Sequence, residues 1–169
     1  MNRMDGKVCV VTGATQGLGA AIARRLAAAG AKGVVITGRN AERGAHVARE
    51  IAEAHGIWAH FLQADFSRVE DCRMVVEETD RLFGRLDVLV NAGASTARGT
   101  ILDTTPETFD DLFATNVRGP YFLMQEAIRL MIAKGIQGAI CNIGSISALV
   151  ANKPQLQVAY NSSKAAIHT

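Results

Sequence analysis

The 169-residue sequence predicts an α/β fold, an open doubly wound sheet of parallel strands in the order 3-2-1-4-5. Two observations carry the prediction. Short runs rich in valine and isoleucine alternate with longer segments of helical periodicity along the whole chain, the pattern of repeated strand–helix units. The first of these junctions is crowded with glycine. Composition agrees: 49% hydrophobic and 20% charged residues suit one average domain over 1–169. A chain of this length buries roughly 70% of its unfolded surface, enough to fold without a disulfide or metal staple.

Taken in order, residues 7–12 (KVCVVT) read as the first strand. Leu18, Ile22 and Leu26 then fall at helical spacing in an alanine-rich segment that stops near Gly30, and 33–37 (GVVIT) reads as the second strand. Residues 41–55 form a second helix with the arginines and glutamates of a solvated face, and 58–63 a third strand. Residues 69–83 are helical by pattern. The run 86–90 (LDVLV) is continuously apolar, as expected of a strand covered on both faces. Pro106 opens a long helix expected to reach Lys134; 138–143 (GAICNI) is the fifth strand, and a last helix starts near Val158 and runs on to Thr169.

Eighteen basic and sixteen acidic residues leave a formal charge of +2, interspersed along the chain, which argues against nucleic acid as a partner. Cys9, Cys72 and Cys141 are odd in number and far apart, with no CxxC or zinc-type spacing, so they read as reduced thiols. His46, His55, His60 and His168 show no metal-ligand spacing either, and no metal is expected. No signal-peptide core or bilayer-length apolar run is present, so a soluble, cytoplasmic protein with no membrane partner is expected.

After the first strand the chain reads Thr12-Gly13-Ala14-Thr15-Gln16-Gly17-Leu18-Gly19 and enters a helix. Gly13 suits the tight turn, Gly17 lets the backbone approach a pyrophosphate at the helix N-terminus, and Gly19 permits close packing of helix on strand. Glycines that merely end a strand give the same spacing; the position between strand and helix favours a dinucleotide site. At the end of the second strand, Thr37-Gly38-Arg39-Asn40 contains no acid to take a ribose 2′-hydroxyl. Arg39 there can hold a 2′-phosphate by a charge-assisted contact, so NADP(H) is expected over NAD(H). The alternative is a solvated loop arginine. Gln16, where a second basic residue could help, is expected to add nothing.

Tyr160-Asn161-Ser162-Ser163-Lys164 opens the last helix, so Tyr160 and Lys164 lie one turn apart on one face. A phenol with a pKa of about 10 must lose about three units to serve as a base at neutral pH, which takes roughly 4 kcal/mol. An ammonium about 5 Å away at an effective dielectric near 20 supplies about 3 kcal/mol of it. The same spacing also arises by chance on helix surfaces. At the end of the fifth strand, Asn142-Ile143-Gly144-Ser145 places Ser145 where it can donate to a substrate carbonyl oxygen or serve as a turn serine bonded to local backbone.

Together with Asn91-Ala92-Gly93, these motifs resemble the short-chain dehydrogenase/reductase family over the entire chain. The resemblance implies a Rossmann fold and hydride transfer between a nicotinamide and a secondary alcohol or ketone, with Tyr160 as general acid/base. It also implies Lys164 as ribose ligand, Ser145 as substrate orienter, and Asn116 as the helix asparagine behind a proton relay. Asn91, Ala92 and Gly93 are then expected along the cofactor, with Asp65, followed by Phe66, at the adenine. Asp65 also fits a strand-end turn residue. The resemblance further implies homodimers or homotetramers through the long helix, and elements beyond Thr169, including a sixth strand; the chain is accordingly expected to be part of a longer polypeptide. The residues that select the substrate are then expected beyond Thr169; the segments at hand, 94–102 and 147–159, are mixed apolar and polar and suggest a small or medium alcohol, ketone or sugar-derived compound. The competing reading is a dinucleotide-binding module without catalysis.

Overall fold

In a computed structural model that describes residues 4–150 and 157–168, five strands pair in parallel in the order β3-β2-β1-β4-β5. They are Val8–Val11 (β1), Gly33–Gly38 (β2), Trp58–Gln63 (β3), Val88–Asn91 (β4) and Ala139–Asn142 (β5). The helices are Gly17–Ala28 (α1), Ala41–His55 (α2), Val69–Phe83 (α3), Pro106–Phe113 (α4), Gly119–Ala133 (α5) and Val158–Ala166 (α6). This is the sheet order expected from the alternation of elements, with ends differing by one or two residues.

Alternation along each strand divides the core into two layers. Cys9, Val11, Val34 and Ile36 face α1 and α2, meeting Ala20, Ala23, Val47 and Ile51. Val10, Val35 and Leu89 point the other way, against Cys72 and Val75 of α3 and Leu123 and Ala127 of α5. Because both faces of β1 and β2 are covered, every residue in them is buried, which is why their sequences are continuously apolar rather than alternating. α2 starts at the Asn40 cap, whose side chain accepts from the Arg43 amide at 2.8 Å, and α2 and α3 end on the left-handed glycines Gly56 and Gly84.

At the N-terminal end of the sheet, Asp87 joins three strands. It is 1% exposed; its carboxylate accepts from the Val8 amide (2.9 Å), from both Nε and Nη2 of Arg85 (2.8 and 2.7 Å) and from Lys7 (3.3 Å), while its carbonyl accepts from Ala139. Burial pushes this carboxyl up, but the donors from Arg85, Val8 and Lys7 outweigh it and hold it below its ordinary value.

The long helix expected over 106–134 is two helices joined by a π turn, Ala114–Arg118, whose flanking residues all stay in right-handed helical conformation. Gly119 donates to the Ala114 carbonyl five residues back. The physical reason is Pro120: it has no N–H to give and its ring crowds the carbonyl of Asn116 four residues earlier, so the turn widens. Helical spacing of apolar residues continues through the turn, which hides it in the sequence. Two further differences concern the end of the chain. A short 3-10 turn, Ile146–Ala148, follows β5, capped by Ser145, and α6 ends at Ala166. Of the segment 147–159, residues 151–156 lie outside the described residues, as does Thr169. No helix among the described residues is long and apolar enough to cross a membrane.

Candidate active site

The carboxyl ends of the parallel strands enclose a cleft of about 610 Å³, the size range of cofactor sites. Its walls are Thr12–Gly19 without Ala14, then Gly38–Asn40 with Arg43, Ala64–Phe66, Asn91–Ala94, and Thr115, Pro120 and Leu123. Every residue expected to bind a dinucleotide from the first four strand ends therefore lines one cleft.

The glycine loop is built for contact with backbone. Gly13 has φ +62°, and a Cβ there would stand 2.5 Å from the Gly93 Cα, so the loop lies directly on the end of β4. Thr12 fixes the same junction, its Oγ1 accepting from the Ala92 and Gly93 amides at 3.0 Å each. Gly17 has φ +57° and open space where a Cβ would be, leaving the start of α1 bare toward the cleft. A Cβ on Gly19 would stand 2.5 Å from the Gly13 carbonyl oxygen; its close packing is of the helix on its own loop rather than on the strand. Thr15 lies over Gly38, where a Cβ would meet its methyl at 2.6 Å, and Leu18 is 60% exposed at the cleft.

Arg39 and Asn40 stand exposed at the cleft rim. Asp65 lines the cleft, and its carboxylate accepts from the Ser67 amide at 3.0 Å, the strand-end turn role. Partial burial pushes the Asp65 carboxyl up, yet the Ser67 bonds and the charges of Arg39 and Arg68 prevail and hold it down. Sequence reasoning missed Arg43, which lines the cleft from the first turn of α2 and donates from Nη1 to the side-chain oxygen of Gln16. Gln16 thus does contribute, by positioning a cation. The signal available was the Asn40 cap, which sets residue 43 in the first helical turn beside the end of β2.

Asn91 is 3% exposed, donates from Nδ2 to Asn142 at 2.8 Å, and has a buried Oδ1 with no hydrogen-bond partner among the described residues. A glycine opening at a helix N-terminus and two arginines against one aspartate together fit an anionic dinucleotide.

The second cluster surrounds α6. Lys164 is 5% exposed, and its Nζ donates to the Ile143 carbonyl at 2.8 Å; the Ile143 amide in turn donates to the Asn91 carbonyl at 2.9 Å. The ammonium is thereby tied, through one residue, to the cleft wall, and burial lowers its pKa. Tyr160 is half-buried one turn earlier. Asn116, in the π turn and 1% exposed, accepts from the Ser95 amide (2.7 Å) and donates to the Ser95 carbonyl (2.9 Å) and Ser163 Oγ (3.0 Å), while Ser163 Oγ donates to the Tyr160 carbonyl (2.8 Å). Ser95 and Ser163, unremarked in the sequence, connect the loop after β4 to the tyrosine helix. Ser145 caps the 3-10 turn by accepting from Ser147 at 3.1 Å, the local turn role, and that turn packs on α6. Asn116, Ser145, Tyr160 and Lys164 do not themselves line the 610 Å³ cleft.

The chain is similar to several known proteins in sequence and fold. Versicolorin reductase 1 of Aspergillus parasiticus is 40% identical over 168 residues, which is 99% of this chain and 62% of that protein. A short chain dehydrogenase from Burkholderia cenocepacia in complex with NADP matches with a TM-score of 0.89 at 37% identity, over 98% of this chain and 66% of the other. An NAD+-bound xylitol dehydrogenase matches with a TM-score of 0.89 at 29% identity, over 98% and 62%. The chain thus spans less than two thirds of the length of these relatives. The family description "short chain dehydrogenase" matches residues 7–169, and with that match laid over the same sheet order and the same glycine loop, the chain belongs to the short-chain dehydrogenase family and has its Rossmann fold.

Proposed function

We propose that this chain carries the dinucleotide site and the proton-transfer residues of an NADP(H)-dependent oxidoreductase acting on a small secondary alcohol or ketone. The observation that carries the reading is Lys164: a buried ammonium one turn from Tyr160, tied through Ile143 to Asn91 in the cleft wall. The reductase relative and the NADP-bound neighbour support it, and the NAD+-bound neighbour makes NAD(H) the second cofactor to test.

In this reading the start of α1 at Gly17 holds the pyrophosphate, Arg39 the 2′-phosphate, and Asp65 with Phe66 the adenine end, while Asn91, Ala92 and Gly93 follow the rest of the cofactor. The bound nicotinamide supplies or accepts the hydride at the substrate carbon. Tyr160 gives its phenolic proton to the carbonyl oxygen in reduction and takes it back in oxidation. The Lys164 ammonium, with one N–H given to Ile143, would offer its remaining donors to a ribose hydroxyl. Ser145 uses its lone pair on the Ser147 amide, which leaves its hydrogen for the substrate oxygen. Asn116 anchors the tyrosine helix and the path by which the proton is replaced.

Replacing Tyr160 by Phe is expected to lower turnover by about 10²–10⁴-fold with NADPH affinity unchanged, read from a carbonyl-reduction assay and a fluorescence titration. Turnover that survives the substitution sinks the assignment. A second reading, a binding module without turnover, is favoured by one fact: the cleft lining includes none of Ser145, Tyr160 and Lys164. It predicts a parent that binds NADPH and reduces no carbonyl compound. For assembly, we propose a homodimer or homotetramer through α5, whose Tyr121, Ile128 and Ile132 expose 59%, 44% and 75% of their surfaces on one helical face.

A further inference from the structure

We propose that Arg43, set in place by Gln16, is the second cation of the 2′-phosphate site, and that the pair Arg39 and Arg43, rather than Arg39 alone, selects NADP(H) over NAD(H). The inference deepens the proposed function and rests on it.

Charge makes the first argument. Three charged residues line the cleft: Arg39, Arg43 and Asp65. Arg39 and Asp65 lie close enough for the arginine to act on the carboxylate. An incoming phosphate dianion that met only these two would find part of the attraction of Arg39 offset by Asp65. Arg43 gives the cleft wall an excess of one positive charge.

Geometry makes the second. An exposed arginine ordinarily gives up much rotamer freedom to bind, and this cost erodes its contribution. Here the side chain is already committed across the cleft rim, since Nη1 donates to Gln16 on the opposite loop. Gln16 stands at the N-cap position of α1 with extended backbone and uses no side-chain bond to cap that helix, so its carboxamide is available to hold the arginine. The backbone of Arg43 is fixed as well, its amide donating to the Asn40 cap at 2.8 Å. A guanidinium carries five N–H donors, so the bond to Gln16 leaves most of them for a phosphate. Because the glutamine is neutral, it orients the cation without cancelling it; a glutamate there would do both.

The test is a titration of the protein and of Arg43→Ala with NADPH and NADH, joined by adenosine 2′-monophosphate and adenosine 5′-monophosphate as probes of the adenosine end alone. Arg43 is exposed, so the variant is expected to fold, and a thermal melt checks it. Loss of one charge-assisted contact should weaken NADPH and the 2′-monophosphate by about 10-fold or more, with NADH and the 5′-monophosphate changed less than about 2-fold. Gln16→Glu should shift the NADPH/NADH ratio in the same direction, and Gln16→Ala by a smaller factor. An unchanged ratio in Arg43→Ala, or equal weakening of both cofactors, overturns the inference while leaving a dinucleotide-binding parent intact. A parent that binds neither cofactor overturns the functional reading and this inference with it.

Discussion

Lys164 is a charge that the fold holds against its own stability. Its environment is 5% exposed and offers a carbonyl, not a carboxylate, as the bonded partner, so burial holds its pKa below the ordinary value. Between this lowered pKa and the ordinary 10.5, the unfolded chain binds a proton that the folded chain has released. Stability therefore rises with pH through that window, and Lys164→Met should flatten the rise in pH-dependent melts. The same substitution should abolish turnover yet leave the melting temperature at neutral pH unchanged or raised by up to about 4 °C, because an unpaired buried cation gives way to an apolar chain of similar volume. A large drop in melting temperature would show that the bond to Ile143 outweighs the desolvation. At this scale the sequence was readable where backbone conformation dictates residue type: a positive φ at Gly13 and Gly17 demands glycine, and glycine can be seen. It was unreadable where long side chains meet across space. Gln16 and Arg43 are 27 positions apart, and Asn116 meets Ser163 over 47, separations at which no local pattern exists.

Among the elements, β1, β4 and β5 depend on Asp87 at the end of the sheet remote from the cleft. Its folded pKa is depressed, so the stability it contributes is present above its ordinary value of 3.8 and is lost as pH falls through the lowered one. Asp87→Asn should cost about 2–4 kcal/mol at neutral pH and weaken the acid limb of the stability curve, as measured by urea unfolding between pH 2 and pH 7 as rough limits. Unfolding curves with unchanged pH dependence would place the acid sensitivity elsewhere. The strands were legible from their apolar runs, but the π turn was not: dihedrals through Phe113, Ala114, Arg118 and Gly119 remain helical, so the apolar rhythm passes over the widened turn without a break. Pro120, deep inside the expected helix, was the one clue, and it lies one turn after Asn116, whose side chain makes three hydrogen bonds.

For the whole molecule, the sheet order followed from the rule that strand–helix–strand units cross over right-handed, which needs only the alternation of elements. Association does not follow from any such rule. If α5 is the interface as proposed, Ile128→Asp on its outer face is expected to give monomers in analytical ultracentrifugation while leaving NADPH affinity within about 2-fold, since the residue does not line the cleft. A mass unchanged by this substitution would rule out that face as the interface. The order in which the chain is made adds a temporal dimension to the cleft. Its lining begins at Thr12 and is complete at Leu123, before β5 and before the helix that carries Tyr160 and Lys164. In chain order, then, the residues that line the cleft all precede Tyr160 and Lys164. If NADP(H) fills that pocket as proposed, it can load onto the emerging polypeptide and favour its compact form by mass action, so that cellular cofactor supply would govern how much enzyme matures as well as how fast it works.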